Sequence, residues 1–599
     1  VTIRVDLLTD PAEIMQLPCA TNAARAGPAA RATAGAYGRL SFSCGGRGGA
    51  RWVMSSVAPQ VALRLKSVFP RLDKAETGRF TFEDSPIVCA DLDWFLSRYR
   101  MDMTAEDRRR LTRERRRFEA SRAEFERILL PEWRPAVHTA LRADKRAFAF
   151  QEKAIEIAVR MRRLLVLDEG GMGKTITGTG IMVKAGLFPA AVVVQAHLAT
   201  QWAERIAEFS TLRVYVIDGT RPYDLPEADV YVFRYSNIAG WVDIAGQGVF
   251  RVVLFDEIQE LRRGGDAQKG KAGKVFVRNA AIRVGLTATP IYNYGDEMFN
   301  IVEYIEPGAL GSVWEFRREW CHAVGQHWVV KEPDALGMHL REQTITIRRT
   351  YDDAEVKAEL GDALPKPNRI VVDVPYDEEV EQDELALCRA LAIQVTTGSF
   401  TESGQAARDL DARLRRITGM AKARHVAAYV RLLLAGGDPV LLAGWHRDVY
   451  EVWLRELAAF SPVLYTGSET PAQKDKNKAA FIAGRSRVMM ISLRSGSGLD
   501  GLQKVCNTLV VGELDWSPQV IDQLVWRLRR LGQQRWPVDA HILHANGGAD
   551  PVMAGVLGLK AFQSRGITDP LAGPEIVVRD QSRLKLLAQR FLETTEGRT

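Results

Sequence analysis

The stretch LLVLDEGGMGKTITGTG, residues 164 to 180, brings together residue types that can hold a polyphosphate. Leu164 to Leu167 spell a buried strand, and a helix is predicted to open at Lys174-Thr175. Between them lies the turn Asp168, Glu169, Gly170, Gly171, Met172, Gly173. Successive backbone N–H groups in such a turn can ring an anion, and the helix behind it adds its positive N-terminal dipole. Lys174 is then placed to reach the β- and γ-phosphates, and the Thr175 hydroxyl to sit on Mg²⁺. Asp168 stands where the general G-x-x-x-x-G-K-[ST] pattern has its first glycine.

A second centre is VVLFDEIQ. Four apolar residues form a strand that delivers Asp256 and Glu257 at its end. Asp256 suits Mg²⁺, which keeps much of its hydration. Glu257 is placed to orient or deprotonate a water attacking the γ-phosphate.

These side chains need a scaffold that presents strand ends. From Leu141 onward, short apolar strands (AAVVVQA, VYVI, DVYVFRY, RVVLFDEI, IRVGLTATP) alternate with helical stretches. A second such set starts near Val426, with PVLLAGW, SPVLYTG, RVMMISL, TLVVGELDW and DAHILHA. That alternation predicts α/β lobes, each a parallel sheet covered by helices on both faces, with ligands at the carboxyl ends of the strands. GDALPKPNRIVVDVPY reads as an extended crossing into the second set.

Ahead of the motor, Ala-, Gly-, Arg- and Thr-rich sequence from about Cys19 to Gly38 reads as a flexible linker. RLSFSCGGRGGARWVMSS reads as a hairpin, VAPQVALRLKSVF as a helix, and DLDWFLSRYRMDM as a further buried segment. A long helix follows, with Thr104 as its cap and Leu111, Phe118, Phe125 and Leu129 on one stripe. Its arginines suit either a nucleic-acid contact or a solvated face balanced by glutamates.

A net charge of +7 suits a polyanionic partner without requiring one. The six cysteines are scattered without a C-x-x-C pair, which argues against a zinc site or a disulfide scaffold and for a reducing compartment. No apolar run approaches the roughly 20 residues of a membrane span, and the first residues lack a basic head followed by an apolar core, so neither a membrane nor a secretory signal is expected.

Taken in order, DEGGMGKT, DEIQ and LTATPIYN resemble motifs I, II and III of superfamily-two helicase motors. Within that superfamily the chain resembles the Swi/Snf-type ATPases, which also carry aspartate at the position of Asp168. FAFQEKAIEIA resembles the Q motif, where Gln151 would read the adenine edge, with Phe150 against the base or in the core. VVVQAHLATQW, ending in Trp202, resembles motif Ia, whose residues touch one DNA strand. SLRSGSGLDGLQ resembles motif V, whose turn at Ser495 and Gly496 would approach a phosphate backbone. DWSPQVIDQLVWRLRRLGQ resembles motif VI with its D-W-x-P-Q lead, and Gln523, Arg527 and Arg530 match the Q-x-x-x-R-x-x-R spacing.

By that match Arg527 and Arg530 are candidate arginine fingers, groups worth about 10³- to 10⁵-fold in phosphoryl transfer. Arg529 between them has no assigned role. Gln259, Ser236 and Thr289 are candidates for coupling nucleotide state to DNA grip. ITIRRTYDDAEVKAELGDALPKP resembles the family's inter-lobe brace. The motifs depart from the family at Thr287-Ala288-Thr289-Pro290, where T-G-T-P is usual, and in motif V, where GSGLDGL stands for GGLGINL. The N-terminal domain resembles, more faintly, the accessory domain of annealing-helicase members such as the HARP proteins.

The resemblance implies two RecA-like lobes beside a small α+β accessory domain. The expected layout is an accessory domain and linker over 1–140, lobe 1 over 141–350, a brace over 351–425, lobe 2 over 426–570 and a tail helix over 571–599. It implies Mg²⁺-dependent ATP hydrolysis coupled to translocation on, or remodelling of, double-stranded or forked DNA through phosphate contacts. The alternatives are a strand-separating helicase, or a nucleic-acid-binding subunit of a larger defence or replication assembly with little turnover. The expected location is cytoplasmic, on the nucleoid in a prokaryotic or phage setting; protein partners are not legible.

Overall fold

The computed structural model describes residues 36–43, 50–289, 295–324, 327–360, 365–382, 384–397, 400–493, 501–530, 532–554 and 592–593. Most of the expected tail helix and most of the expected linker lie outside these residues. The chain divides into two compact units, 1–121 and 122–599. The second begins ahead of the expected position 140 because Phe125, Ile128 and Trp133 already pack in the core of its first lobe.

In the first unit, β1 (Arg39–Ser43) and β2 (Arg51–Ser55) pair antiparallel with Leu40 opposite Met54. A strand not anticipated, β3 (Arg79–Glu83), completes the sheet by pairing with β2. Its five residues bury Phe80 and Phe82 on one face, a two-residue period too short to stand out in the sequence. Thr104 caps the helix Ala105–Leu129 by accepting from the Asp107 N–H at 3.1 Å. Several arginines of this helix are tied locally: Arg113 and Arg117 to Glu114, Arg115 to Asp93 and Glu119, and Arg110 to Asp84. Arg113, Arg115 and Arg117 thus have glutamates of their own helix beside them, as in the balanced-face alternative, whereas Arg110 is held by Asp84 from outside the helix.

The second unit holds two RecA-like lobes. In lobe 1, β4 (Arg163–Val166), β5 (Ala190–Val194), β6 (Val214–Val216), β7 (Val230–Arg234), β8 (Val252–Asp256), β9 (Ile282–Leu286) and β12 (Thr346–Ile347) form one sheet. Its order is β12-β4-β9-β8-β5-β7-β6, parallel throughout. The pleat sends Leu164 and Val166 into the core on one face and Leu165 and Leu167 into the core on the other. Covering on both faces is why these strands are runs of apolar residues rather than alternations. A hairpin of β10 (Cys321–Val324) and β11 (His327–Val330) forms a separate two-stranded sheet.

Lobe 2 repeats the plan. β13 (Asn368–Val374), β14 (Val440–Gly444), β15 (Val463–Tyr465), β16 (Val488–Ser492), β17 (Thr508–Val511) and β18 (Asp539–Ala545) are parallel in the order β13-β18-β17-β14-β16-β15. The expected brace over 351–425 therefore supplies part of lobe 2. All seven residues of β13 pair along β18, which would otherwise be an unpaired edge. The brace range also contains the helix Leu385–Thr397 and the start of the helix Phe400–Ala435.

The helix Phe400–Ala435 is fastened to the end of β18 by a buried pair. Lys422 Nζ donates to Asp550 Oδ2 at 2.6 Å and to the Leu543 carbonyl, and the same carboxylate oxygen accepts from the Ala545 N–H. Asp550→Ala would leave the Lys422 charge buried with its counter-ion gone. A loss of about 3–5 kcal/mol in lobe stability is expected, measured by chemical denaturation.

Candidate active site

Because β4, β9 and β8 run parallel and adjacent, their carboxyl ends bring Asp168, Thr287 and Asp256 to one edge of lobe 1. The loop after β4 has Gly171 at φ 85° and Gly173 at φ 75°, left-handed conformations that glycine adopts without strain. The helix Lys174–Ala185 follows. The loop borders a cavity of about 360 Å³, within the range of small-molecule sites. From lobe 1 its wall includes Lys174, Thr175, Asp256 and Glu257; from lobe 2 it includes Gln523, Trp526, Arg527 and Arg530. Both candidate fingers thus face the crevice that holds Lys174.

Lys174 Nζ donates to the carbonyls of Asp168 and Glu169 at 2.8 and 3.1 Å. Burial lowers its pKa, against the opposing pull of Glu257, Asp168 and Asp256. Asp168 is anchored away from the cavity. Its carboxylate is paired with the Arg349 guanidinium, with Nε to Oδ1 at 2.9 Å, and it accepts from the Arg349 N–H at 3.1 Å. Glu169 Oε2 accepts from the Tyr351 N–H at 2.9 Å.

Gln151, expected at the adenine edge, holds the loop instead. Its Nε2 donates to the Met172 carbonyl at 3.0 Å and its Oε1 accepts from the Phe148 N–H at 3.0 Å. Phe150 is fully buried, stacked on Phe148 and clustered with Met172 and Tyr351, so of its two alternatives it takes the core position.

Asp256 Oδ2 accepts from the Trp202 indole N–H at 2.7 Å. Burial, reinforced by the charge of Glu257, raises the Asp256 pKa to about 7. Trp202 is therefore corrected: its ring is 2 % exposed and its N–H is spent on Asp256, so it has no face for a DNA strand. Glu257 sits at φ 51°, an uncommon conformation for a residue with a side chain, and directly precedes the short helix Ile258–Leu261 without capping it through its carboxylate. Its Oε2 accepts from Gln259 Nε2 at 2.6 Å and from the Thr287 hydroxyl at 3.4 Å.

Thr287 Oγ1 in turn accepts from the Thr289 N–H, and Gln523 Nε2 of lobe 2 donates to Thr289 Oγ1 at 3.4 Å. Gln259, Thr289 and Gln523 thus join one chain of contacts that reaches Glu257. Ser236 does not: it is exposed in the turn after β7. Ser495 and Gly496 lie outside the described residues.

Sequence reasoning missed Arg349, Tyr351, Trp526 and Arg529. The signal lay in RRTYDD directly after β12, the strand beside β4. Trp526 covers Gly170 so closely that a Cβ there would strike its ring. Arg529 is 5 % exposed and lies over the Tyr351 ring.

The donor set fits a magnesium nucleotide. Lys174, Arg527, Arg530 and the loop N–H groups suit three phosphates, and the Thr175 hydroxyl and Asp256 carboxylate could hold the metal. Among the described residues no group of three or more His, Cys, Asp or Glu side chains forms a metal cage. Mg²⁺ needs none, since one or two carboxylates, phosphates and water suffice.

Residues 90–383 match the model of the SNF2-related domain. The chain is 24% identical over 459 residues to the uncharacterized ATP-dependent helicase YqhH of Bacillus subtilis, covering 69% of this chain and 76% of that one. It is 26% identical over 446 residues to the human DNA annealing helicase and endonuclease ZRANB3, covering 69% of this chain but only 39% of that protein. The Sulfolobus solfataricus SWI2/SNF2 ATPase core in complex with dsDNA aligns with 78% of this chain and 98% of its own at 19% identity and a TM-score of 0.35. Among the described residues no helix is long and apolar enough to cross a membrane.

Gly171→Ala tests the loop geometry. The new Cβ would stand 2.8 Å from the Tyr351 hydroxyl and 3.2 Å from Arg530 Cβ, at a φ that costs alanine about 1–2 kcal/mol. A loss of about tenfold in affinity for a fluorescent ATP analogue is expected.

Proposed function

We propose that this chain, which carries an SNF2-related domain, is a DNA-dependent ATPase that turns closure of its two lobes into movement along DNA. The observation that carries the reading is one cavity walled by Lys174, Thr175, Asp256 and Glu257 from lobe 1 and by Arg527 and Arg530 from lobe 2.

The substrate is ATP, its phosphates lying along the glycine loop. Lys174 binds the β- and γ-phosphates. Mg²⁺, when bound, neutralises phosphate charge, with the Thr175 hydroxyl and the Asp256 carboxylate holding it. Trp202 fixes the Asp256 carboxylate through its N–H. Glu257, oriented by Gln259 and Thr287, aligns a water and takes its proton as the oxygen bonds to the γ-phosphorus. The bond to the β–γ bridging oxygen breaks, leaving ADP and phosphate. Arg527 and Arg530 stabilise the charge on the transferring phosphoryl group.

Since the fingers and the base stand on different lobes, turnover depends on closure. The Gln523–Thr289–Thr287 contacts link the position of lobe 2 to Glu257. The activator is double-stranded or forked DNA gripped mainly by its phosphates, so binding is sequence-independent and weakens steeply with salt. The chain works on DNA without obligate strand separation, and in a prokaryotic cell its place is the nucleoid.

Phosphate release measured with blunt duplex, forked DNA, single strand and RNA tests this. Duplex or fork should stimulate most; a preference for RNA would overturn it. Glu257→Gln should cut DNA-stimulated turnover by about 10²-fold or more while DNA binding persists. Unchanged phosphate release in that variant would remove Glu257 from the chemistry.

A further inference from the structure

The segment that leaves β12 crosses toward lobe 2 against the phosphate loop. Beside the Asp168–Arg349 pair, Tyr351 grips the next two loop residues. Its N–H donates to Glu169 Oε2 at 2.9 Å and its hydroxyl to the Gly170 carbonyl at 3.1 Å. From lobe 2, Arg529 follows the helix Pro518–Leu528. Its guanidinium lies 4.5 Å from the Tyr351 ring centroid, Nη1 is 3.7 Å from Glu169 Oε2, and Nε donates to the Pro365 carbonyl at 3.0 Å.

Loop, Tyr351 and the arginines meet at Gly171, where a Cβ would stand 3.1 Å from the Arg529 carbonyl and 3.2 Å from Arg530 Cβ. Neither Tyr351 nor Arg529 forms part of the cavity wall, whereas Arg527 and Arg530 do. Arg529 is thus placed to act on the reaction through its neighbours.

We infer that Tyr351 and Arg529 are a positioning pair, through which closure of lobe 2 sets the phosphate loop in register with Arg527 and Arg530. The inference rests on the ATPase reading above. A guanidinium suits the role because its planar face stacks on the ring while its edge pairs with Glu169 and donates to a carbonyl; lysine offers no such face. Two of the groups Arg529 meets, Glu169 and the Tyr351 that is bound to it, stand at the phosphate loop of lobe 1, so these contacts exist only when the lobes are together. Their loss leaves Lys174 and the loop in lobe 1 able to bind nucleotide but misaligns the fingers.

The test is a double-mutant cycle on the full chain with Arg529→Gln, Tyr351→Leu and both together. Three quantities are read: DNA-stimulated kcat, KM for ATP, and binding of a fluorescent ATP analogue without DNA. Each single change should lower kcat by about tenfold, with analogue binding within about threefold of wild type, and the double should fall no more than about twofold below the worse single. Arg529→Lys keeps charge and bulk, so it carries the test if the glutamine variant fails to fold. It should also lose turnover, by about fivefold, whereas Tyr351→Phe, which keeps the ring, should retain most of it.

Wild-type kcat in both Arg529 variants, single losses that multiply, or analogue binding that falls as far as kcat would each overturn the pair. A wild-type chain with no DNA-stimulated hydrolysis removes the functional reading and the inference together. A stimulated wild type with unaffected Arg529 variants removes the inference alone.

Discussion

A buried ion pair at the root of the phosphate loop holds the rest in place. Asp168 and Arg349 are 1 % and 6 % exposed, and neither charge could be kept from water without the other. The pair fastens the start of the loop to the chain leaving β12, and the glycines beyond it are free to take the conformations that anion binding needs. It also accounts for a residue with a side chain at the head of a glycine-rich turn. That position needs no left-handed backbone, so a carboxylate can stand there as an anchor.

With the loop pinned, the remaining polar groups form a connected set. Trp202 steadies Asp256, Gln259 and Thr287 steady Glu257, and Thr289 passes the contact to Gln523 on the other lobe. Low local dielectric makes such chains strong when complete and costly when broken. The arginines reach the same space because the helix Pro518–Leu528 is itself held at its start. There Trp516 donates to Asp411, and the Asp515 carboxylate accepts from the Ser517 N–H.

Where sequence and structure agree, the reason is periodicity. Buried parallel strands must be apolar on both faces, so β5, β8, β14, β16 and β17 stood out as unbroken runs, and the charged residues at their ends marked the site. Lys174, Asp256, Glu257, Arg527 and Arg530 were legible because spacing and chain order pointed to one cavity. β3 and β13 are edge strands, β3 buried on one face only and β13 exposed along most of its length, and neither gave such a run. Trp202 was misjudged because residue type cannot say which way an indole turns, and Gln151 turned to the loop backbone. Tyr351 and Arg529 were hidden for a different reason: each has meaning only beside the other, and 178 positions of sequence separate them.

The crossing from β12 to β13 joins the outer strand of one sheet to the outer strand of the other, and it runs past the nucleotide loop. β15 closes the far side of the second sheet, five strand spacings from β13, or about 24 Å. Were the lobes to turn about this crossing, the adjacent guanidinium groups would travel a short way and the opposite rim a longer one, in proportion to their distances from it.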